Sequence, residues 1–359
     1  MEALTLSSSD TTPQNGIHGD WRASEDQHDI NFDLPLNAPP VPTPHSYSIN
    51  GRTTAAQSPP QASRPRPLTR LQAPRTEIRP TLRNPESMGN SDFHGRIPSL
   101  TAEQLSHLPA LRLVVTSSTG VNHIDLRECR RRGIAAANSG NVYAEDVADT
   151  AVGLLIDVLR RISAADRYVR SGLWPVKVEY PLGSKLAGKR VGIISLGNIG
   201  LEVAKRLEAF GCIICYNSRK KKPSVPFTFY LDVCDLAANC DILVICCALT
   251  DKTHHMINKE VLLALGKEGV VVNIARGAVI DEKAFVQCLV QGDIAGAGLD
   301  VFEREPNVPK DLLELENVVL SPHRAVFTAE SFWDCFEYIS GNLKAFFSNK
   351  PLLSPVVEE

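Results

Sequence analysis

An arginine, a glutamate and a histidine each follow a short apolar run in the last third of the chain. Arg276 comes after Val270 to Ile274, Glu305 after Ala297 to Leu299, and His323 after Val318 to Leu320. A guanidinium can hold a carboxylate through its planar donor fork and polarise the carbonyl beside it. An imidazole held by a carboxylate can give a proton to a forming alkoxide. Taken singly, Arg276 reads equally well as a surface ion-pair residue and His323 as a structural histidine. Three such residues past successive apolar runs are harder to read that way, because open α/β sheets bind ligands at the carboxyl ends of their strands.

A fourth cluster would serve a dinucleotide. Val191 to Gly200 reads V-G-I-I-S-L-G-N-I-G, an apolar strand that runs into a turn and then a helix with Val203, Ala204 and Leu207 on one face. Amides at such a helix N-terminus receive a pyrophosphate, Gly197 lets the backbone approach it, and Gly200 permits close helix packing. Ser195 replaces the first glycine of the fingerprint, so a positive φ there would cost about 1 kcal/mol or more. An NAD-selective fold would carry an acid about twenty residues on. Here the sequence reads Tyr216-Asn217-Ser218-Arg219-Lys220, followed by Lys221 and Lys222. Hydroxyl and guanidinium at that place suit the 2′-phosphate of NADPH, and a solvated basic loop is the competing reading.

The elements that must position these groups alternate. Strands are expected near Leu113 to Thr116, Val191 to Ile194, Ile213 to Tyr216, Ile242 to Cys247, Val270 to Ile274, Ala297 to Leu299 and Val318 to Leu320, with amphipathic stretches between most of them. That pattern specifies an α/β fold, a doubly wound parallel-sheet Rossmann domain. Ala144 to Arg170 carries a helical stripe of Val147, Ala151, Leu154, Leu155, Val158 and Ile162. A closing helix over about Glu330 to Ser348 should return to the first lobe. Residues 1–97 hold more than half of the 24 prolines and lack apolar periodicity, so they are expected to be disordered.

The ordered series Glu145 to Asp149 (E-D-V-A-D), Leu196 to Gly200 (L-G-N-I-G), Asn273 to Gly277 (N-I-A-R-G), Leu299 to Pro306 (L-D-V-F-E-R-E-P) and Ser321 to His323 (S-P-H) resembles the D-isomer-specific 2-hydroxyacid dehydrogenases. Gly172 to Val176 and the C-terminal wording are similar to the plant glyoxylate/hydroxypyruvate and hydroxyphenylpyruvate reductases of that family. The resemblance runs from about Leu100 to Val357. It implies hydride delivery from NADPH to C2 of a small 2-oxoacid, His323 as proton donor, Glu305 as its support and Arg276 on the carboxylate. Amides around Thr119 and Gly120 would clamp the carboxylate from the other lobe. Leu196, Gly197, Asn198 and Ile199 would meet the pyrophosphate, Ser218, Arg219 and Lys220 the 2′-phosphate, and Ile274, Ala275, Arg276 and Asp300 the nicotinamide end. The long helix from Ala144 is similar to the family's dimerisation arm, with Trp174 at the partner subunit's pocket or simply packed in a homodimer interface.

The same resemblance divides the chain into 1–97, a truncated flavodoxin-like substrate domain of 98–140 with 326–359, and an NADP-binding Rossmann domain of 141–325. Only Pro98 to Pro109 is similar to the lobe that family members place ahead of the Leu113 strand, so that strand is expected to present an open edge. A second reading is therefore a catalytically weak, NADP-binding or dimerising remnant. A net charge of −3 gives no reason to expect nucleic acid or an anionic membrane as partner. No apolar run is long enough to cross a membrane. The nine cysteines are read as single apart from the adjacent Cys246 and Cys247, with no C-x-x-C spacing and no metal framework, which suits the cytosol.

Overall fold

In the computed structural model the described residues are Leu4–Ser7 and 99–356. They build two sheets. The larger has seven parallel strands in the order β10-β9-β8-β7-β4-β5-β6. These are β4 Arg190–Ile194, β5 Ile213–Asn217, β6 Thr228–Tyr230, β7 Ile242–Ile245, β8 Val270–Asn273, β9 Gly296–Leu299 and β10 Val318–Leu320. Central strands of a sheet covered on both faces should read as continuous apolar runs, and β7 (I-L-V-I) is buried at every position. One face packs against α3 Ala144–Arg160 and α5 Asn198–Ala209, through Leu155, Val203 and Leu207. The other packs against α6 Val233–Ala238, α7 Lys259–Leu265 and α8 Glu282–Gln291, through Leu236, Val261 and Phe285. Strand order reverses between β4 and β7, and a crevice opens there at the carboxyl ends.

The smaller sheet has the order β1-β2-β3, with β1 Leu4–Ser7, β2 Leu111–Val115 and β3 Ala135–Ala137. α1 Ala102–Ser106 and α2 Leu126–Arg131 flank it. Beyond β9, α9 Lys310–Glu314 leads into β10, and α10 Ala329–Phe347 returns to the first lobe, where Leu343 and Phe346 cover Leu113 and Val115. The C-terminal segment follows β3, with an antiparallel bridge from Ala137 to Pro355 and a 2.9 Å bond from Val356 N to Ala136 O.

Four expectations change. Leu4–Ser7 forms a strand paired antiparallel with β2, so the β2 edge expected to be open is occupied. The reason is legible afterwards: L-T-L-S alternates apolar and hydroxyl residues with period two. The rest of the stretch expected to be disordered, up to residue 97, lies outside the described residues. The long helix breaks at Arg161, which is left-handed (φ 55), and restarts as α4 Ile162–Arg170. Asp157 holds the break by accepting from Ser163 N at 2.7 Å, and Ile162 leaves the stripe, 52% exposed. The third change concerns the cysteines, which are not all isolated, because Cys212 and Cys215 have C-x-x-C spacing. Both are free, since odd spacing along a strand sends them to opposite faces of the sheet, where they join different cores. The fourth is two short strands that apolar runs did not reveal, β3 (A-A-A) and β6 (T-F-Y).

Candidate active site in the interlobe cleft

At the carboxyl end of β4 the chain turns through Ser195, which takes φ 74 and donates its N–H to Asn217 O at 2.9 Å. The positive φ expected of the missing glycine is present, carried by serine. Gly200 is required here, because a Cβ on it would overlap Ser195 O. Gly197 is different: its nearest neighbour to a Cβ would be Ser195 Oγ at 4.0 Å, and it lines the cleft. α5 starts at this glycine without a side-chain cap, as α3, α4 and α9 also start, whereas α1, α2, α6, α7, α8 and α10 are each capped by a side chain of their own. Uncapped first-turn amides beside an open backbone fit a pyrophosphate.

The cleft has a volume of about 740 Å³ and is lined by both lobes. Of the residues singled out in the sequence, it brings together Thr119 and Gly120 from the first lobe, Gly197, Asn198 and Ile199 from the α5 turn, and Ile274, Ala275 and Arg276 past β8. Leu196 is fully buried beneath it. Ser218, Arg219 and Lys220 follow β5, whose last residue Asn217 is level with Ile194 of β4. Ser218 is half-buried and donates to Lys220 O at 3.2 Å, while Arg219 and Lys220 are exposed.

Arg276 reaches across the cleft. A Cβ on Gly120 would overlap Arg276 Nη2, so the guanidinium lies against the first-lobe backbone. Nη1 donates to Ala275 O at 2.6 Å, and the fully buried Asn273 accepts from Ala275 N at 3.0 Å and donates to Arg276 O at 3.1 Å. Burial lowers the Arg276 pKa, and the Glu305 charge opposes it. His323 Nδ1 lies 2.8 Å from Glu305 Oε2, and Glu305 Oε1 accepts from Phe302 N at 3.0 Å. Burial pushes the Glu305 carboxyl up, but the His323 hydrogen bond and charge, the Phe302 amide and Arg276 together hold it below its usual value. An Nδ1–H donated to that carboxylate leaves Nε2 as the position from which a proton can be given.

Asp300 is engaged by the turn that follows β10. It is 1% exposed, and its carboxylate accepts from Ser321 Oγ (2.5 Å), Arg324 N (2.8 Å) and Ala325 N (3.1 Å), while its backbone O accepts from His323 N at 2.7 Å. It therefore holds the turn on which His323 sits with φ 55. Sequence reading missed Asn273 and Ser321, which lie inside motifs it quoted for their neighbours. It also missed His123, half-buried with Nε2 3.3 Å from Thr116 Oγ1, whose pKa is lowered by burial and then by the Arg276 charge.

The model for the D-isomer specific 2-hydroxyacid dehydrogenase NAD binding domain matches residues 152–325. A glyoxylate/hydroxypyruvate reductase of Arabidopsis thaliana is 61% identical over 262 residues, 73% of this chain and 81% of that protein. The chain belongs to the D-isomer-specific 2-hydroxyacid dehydrogenase family. A second member, the hydroxyphenylpyruvate reductase of Plectranthus scutellarioides, is 51% identical over 71% of this chain and 82% of its own length. Among solved structures of such dehydrogenases, the NADPH-dependent glyoxylate/hydroxypyruvate reductase of Sinorhizobium meliloti, in complex with NADP and malonate, superposes with a TM-score of 0.70. It is 39% identical and covers 72% of this chain and 82% of that one. As a dehydrogenase of this family, the chain is an oxidoreductase with an NAD(P)-binding Rossmann domain.

Proposed function

We propose that this dehydrogenase reduces small 2-oxoacids of the glyoxylate, hydroxypyruvate or hydroxyphenylpyruvate type to D-2-hydroxyacids, with NADPH as reductant. The observation that carries the proposal is the Glu305 to His323 contact of 2.8 Å, with Arg276, whose charge acts on Glu305, lying against the opposite lobe at Gly120. Relatives at 61% and 51% identity bear names of that activity.

NADPH, when bound, supplies a hydride to C2 of the oxoacid. Arg276 binds the substrate carboxylate together with amides near Thr119 and Gly120, and its charge polarises the C2 carbonyl. His323 gives the Nε2 proton to the carbonyl oxygen as it becomes an alkoxide. Glu305 stays ionised and fixes the ring through Nδ1. The fit for the cofactor rests on the uncapped α5 turn at Gly197 and the missing side chain there. Leu196, Asn198 and Ile199 complete that turn, and Ile274 and Ala275, which line the cleft, would meet the nicotinamide end. Asp300 acts by positioning His323. Preference for NADPH is assigned to Ser218, Arg219 and Lys220, on a strand end without an acid.

Residues 98–140 with 326–359 form the substrate lobe in this reading, and 141–325 the cofactor lobe. A homodimer is assigned to the arm that follows α4, because Trp174, Val176, Val178 and Leu182 are 62%, 76%, 81% and 96% exposed. Nine free cysteines support a cytosolic setting. Among the described residues no helix is long and apolar enough to cross a membrane. The test is NADPH oxidation by the full chain with a panel of 2-oxoacids, with chiral analysis of the product. D-hydroxyacid formed from at least one of the three named classes supports the reading. Tight NADPH binding without oxidation by any of them supports the remnant reading instead.

A further inference from the structure

Three side chains outside the reduction site converge on one point. His254 and His255 follow β7 in the turn Thr250 to Met256, and Glu303 lies in the loop that also carries Glu305. One ligating atom from each lies within 4.8 Å of the other two. His255 Nε2 and Glu303 Oε1 are 3.2 Å apart. Two donors about 2.0–2.2 Å from a shared tetrahedral ion are separated by roughly 3.3 Å, so this pair already has the spacing of adjacent ligands.

Each ligand is held by its backbone. His254 N donates to Thr250 O at 2.9 Å and His255 N to Ala278 O at 2.9 Å, while Glu303 N donates to the Glu282 carboxylate at 3.0 Å. His255 has φ 52, a conformation that alanine would resist and asparagine tolerates. The two imidazoles stack with centroids 3.9 Å apart and planes inclined by 24°. His254 is exposed and the other two are half-buried, so the group is open to solvent on one side. Two imidazoles and a carboxylate with open positions suit a borderline divalent transition metal and discriminate against the hard ions Mg²⁺ and Ca²⁺.

We propose that His254, His255 and Glu303 form a binding site for a divalent transition-metal ion of the zinc or nickel class. On binding, the ion replaces the His255 to Glu303 hydrogen bond, and the stacked rings splay so that both direct a nitrogen at it. The site joins the turn after β7 to the loop of Glu305. A Cβ on Gly277 would overlap the Phe302 backbone, so the loop of Arg276 touches the same segment. The ion therefore binds where both loops meet, without using any residue of the reduction site. Spacing along the sequence could not reveal it, since 48 positions separate His255 from Glu303.

The test is calorimetric titration of the full chain with ZnCl₂, with Mg²⁺ as the comparison ion. Wild type is expected to bind one equivalent of zinc at micromolar concentration, and to bind Mg²⁺ at least 100-fold more weakly. The double variant His254→Asn/His255→Asn keeps a residue that accepts the left-handed backbone and is expected to lose the zinc equivalent. Glu303→Gln should weaken it 10- to 100-fold. Unchanged NADPH binding in both variants verifies that they fold. Co²⁺ bound in place of zinc should give weak d–d bands and no thiolate charge transfer, which distinguishes this site from the cysteines. No zinc equivalent in wild type, an equivalent that survives in the double variant, equal affinity for Mg²⁺ or a thiolate band would each overturn the proposal.

Discussion

The two sheets solve the same problem with unequal means. The seven-stranded sheet is covered on both faces by helices, and its strand ends carry every group assigned to the cofactor. The three-stranded sheet is covered by small clusters, such as Leu113, Val115 and Ala137 beneath α10, and its outer positions are filled by Leu4–Ser7 and by the C-terminal segment. The larger sheet can therefore build a cofactor turn from its own core. The smaller one contributes backbone at Thr119 and Gly120, and its contribution depends on where the other lobe's arginine lies. Cofactor affinity and turnover should accordingly separate when single residues are changed.

The largest separation is expected for His323→Ala. Removal of a general acid costs about 10²- to 10⁴-fold in turnover, while NADPH affinity, measured by fluorescence titration, should change by less than about twofold. Equal loss of both would place His323 in cofactor binding. Gly120→Ala should come next. Its Cβ must displace Arg276 Nη2, and misplacement by about 1 Å can cost on the order of 10²-fold in kcat/KM. Undiminished kcat/KM with hydroxypyruvate would show that the guanidinium is not used where it lies.

A smaller effect is expected on the cofactor side. Arg219→Asp should lower the ratio of NADPH to NADH affinity by about tenfold, because a phosphate-binding cation becomes an acceptor for ribose hydroxyls. Both affinities must be measured on one preparation, and an unaltered ratio would detach Arg219 from the 2′-phosphate. The smallest effect belongs to Ser195→Gly. Relief of the positive φ should stabilise the fold by about 1 kcal/mol, visible as a rise of roughly 2–4 °C in Tm. A fall in Tm would mean that the Ser195 side chain contributes more than its backbone costs.

The unequal lobes also explain what the sequence made legible. Apolar runs such as Ile242–Ile245 announce buried parallel strands, and the Ser195 substitution announced a strained turn that the structure contains. Arg276, Glu305 and His323 could be singled out because each follows such a run. The Asp300 carboxylate could not be placed that way, since its partners Ser321, Arg324 and Ala325 come from a turn that forms only when β9 and β10 pair. Leu4–Ser7 was hidden for a different reason. A four-residue strand has too few positions for its alternation to stand out from a Ser- and Thr-rich stretch, and its partner lies about a hundred residues away.

The central claim is that Arg276, Glu305 and His323 present a 2-oxoacid to a reduced nicotinamide across the cleft. The most direct measurement uses NADPH deuterated at both C4 positions, the full chain and hydroxypyruvate, with the product analysed by mass and chirality. One deuterium at C2 of a D-2-hydroxyacid, formed at least about 100-fold more slowly when His323→Ala replaces wild type, is the result this account predicts. Product without deuterium at C2, an L-configured product, or no product while NADPH remains bound would contradict it.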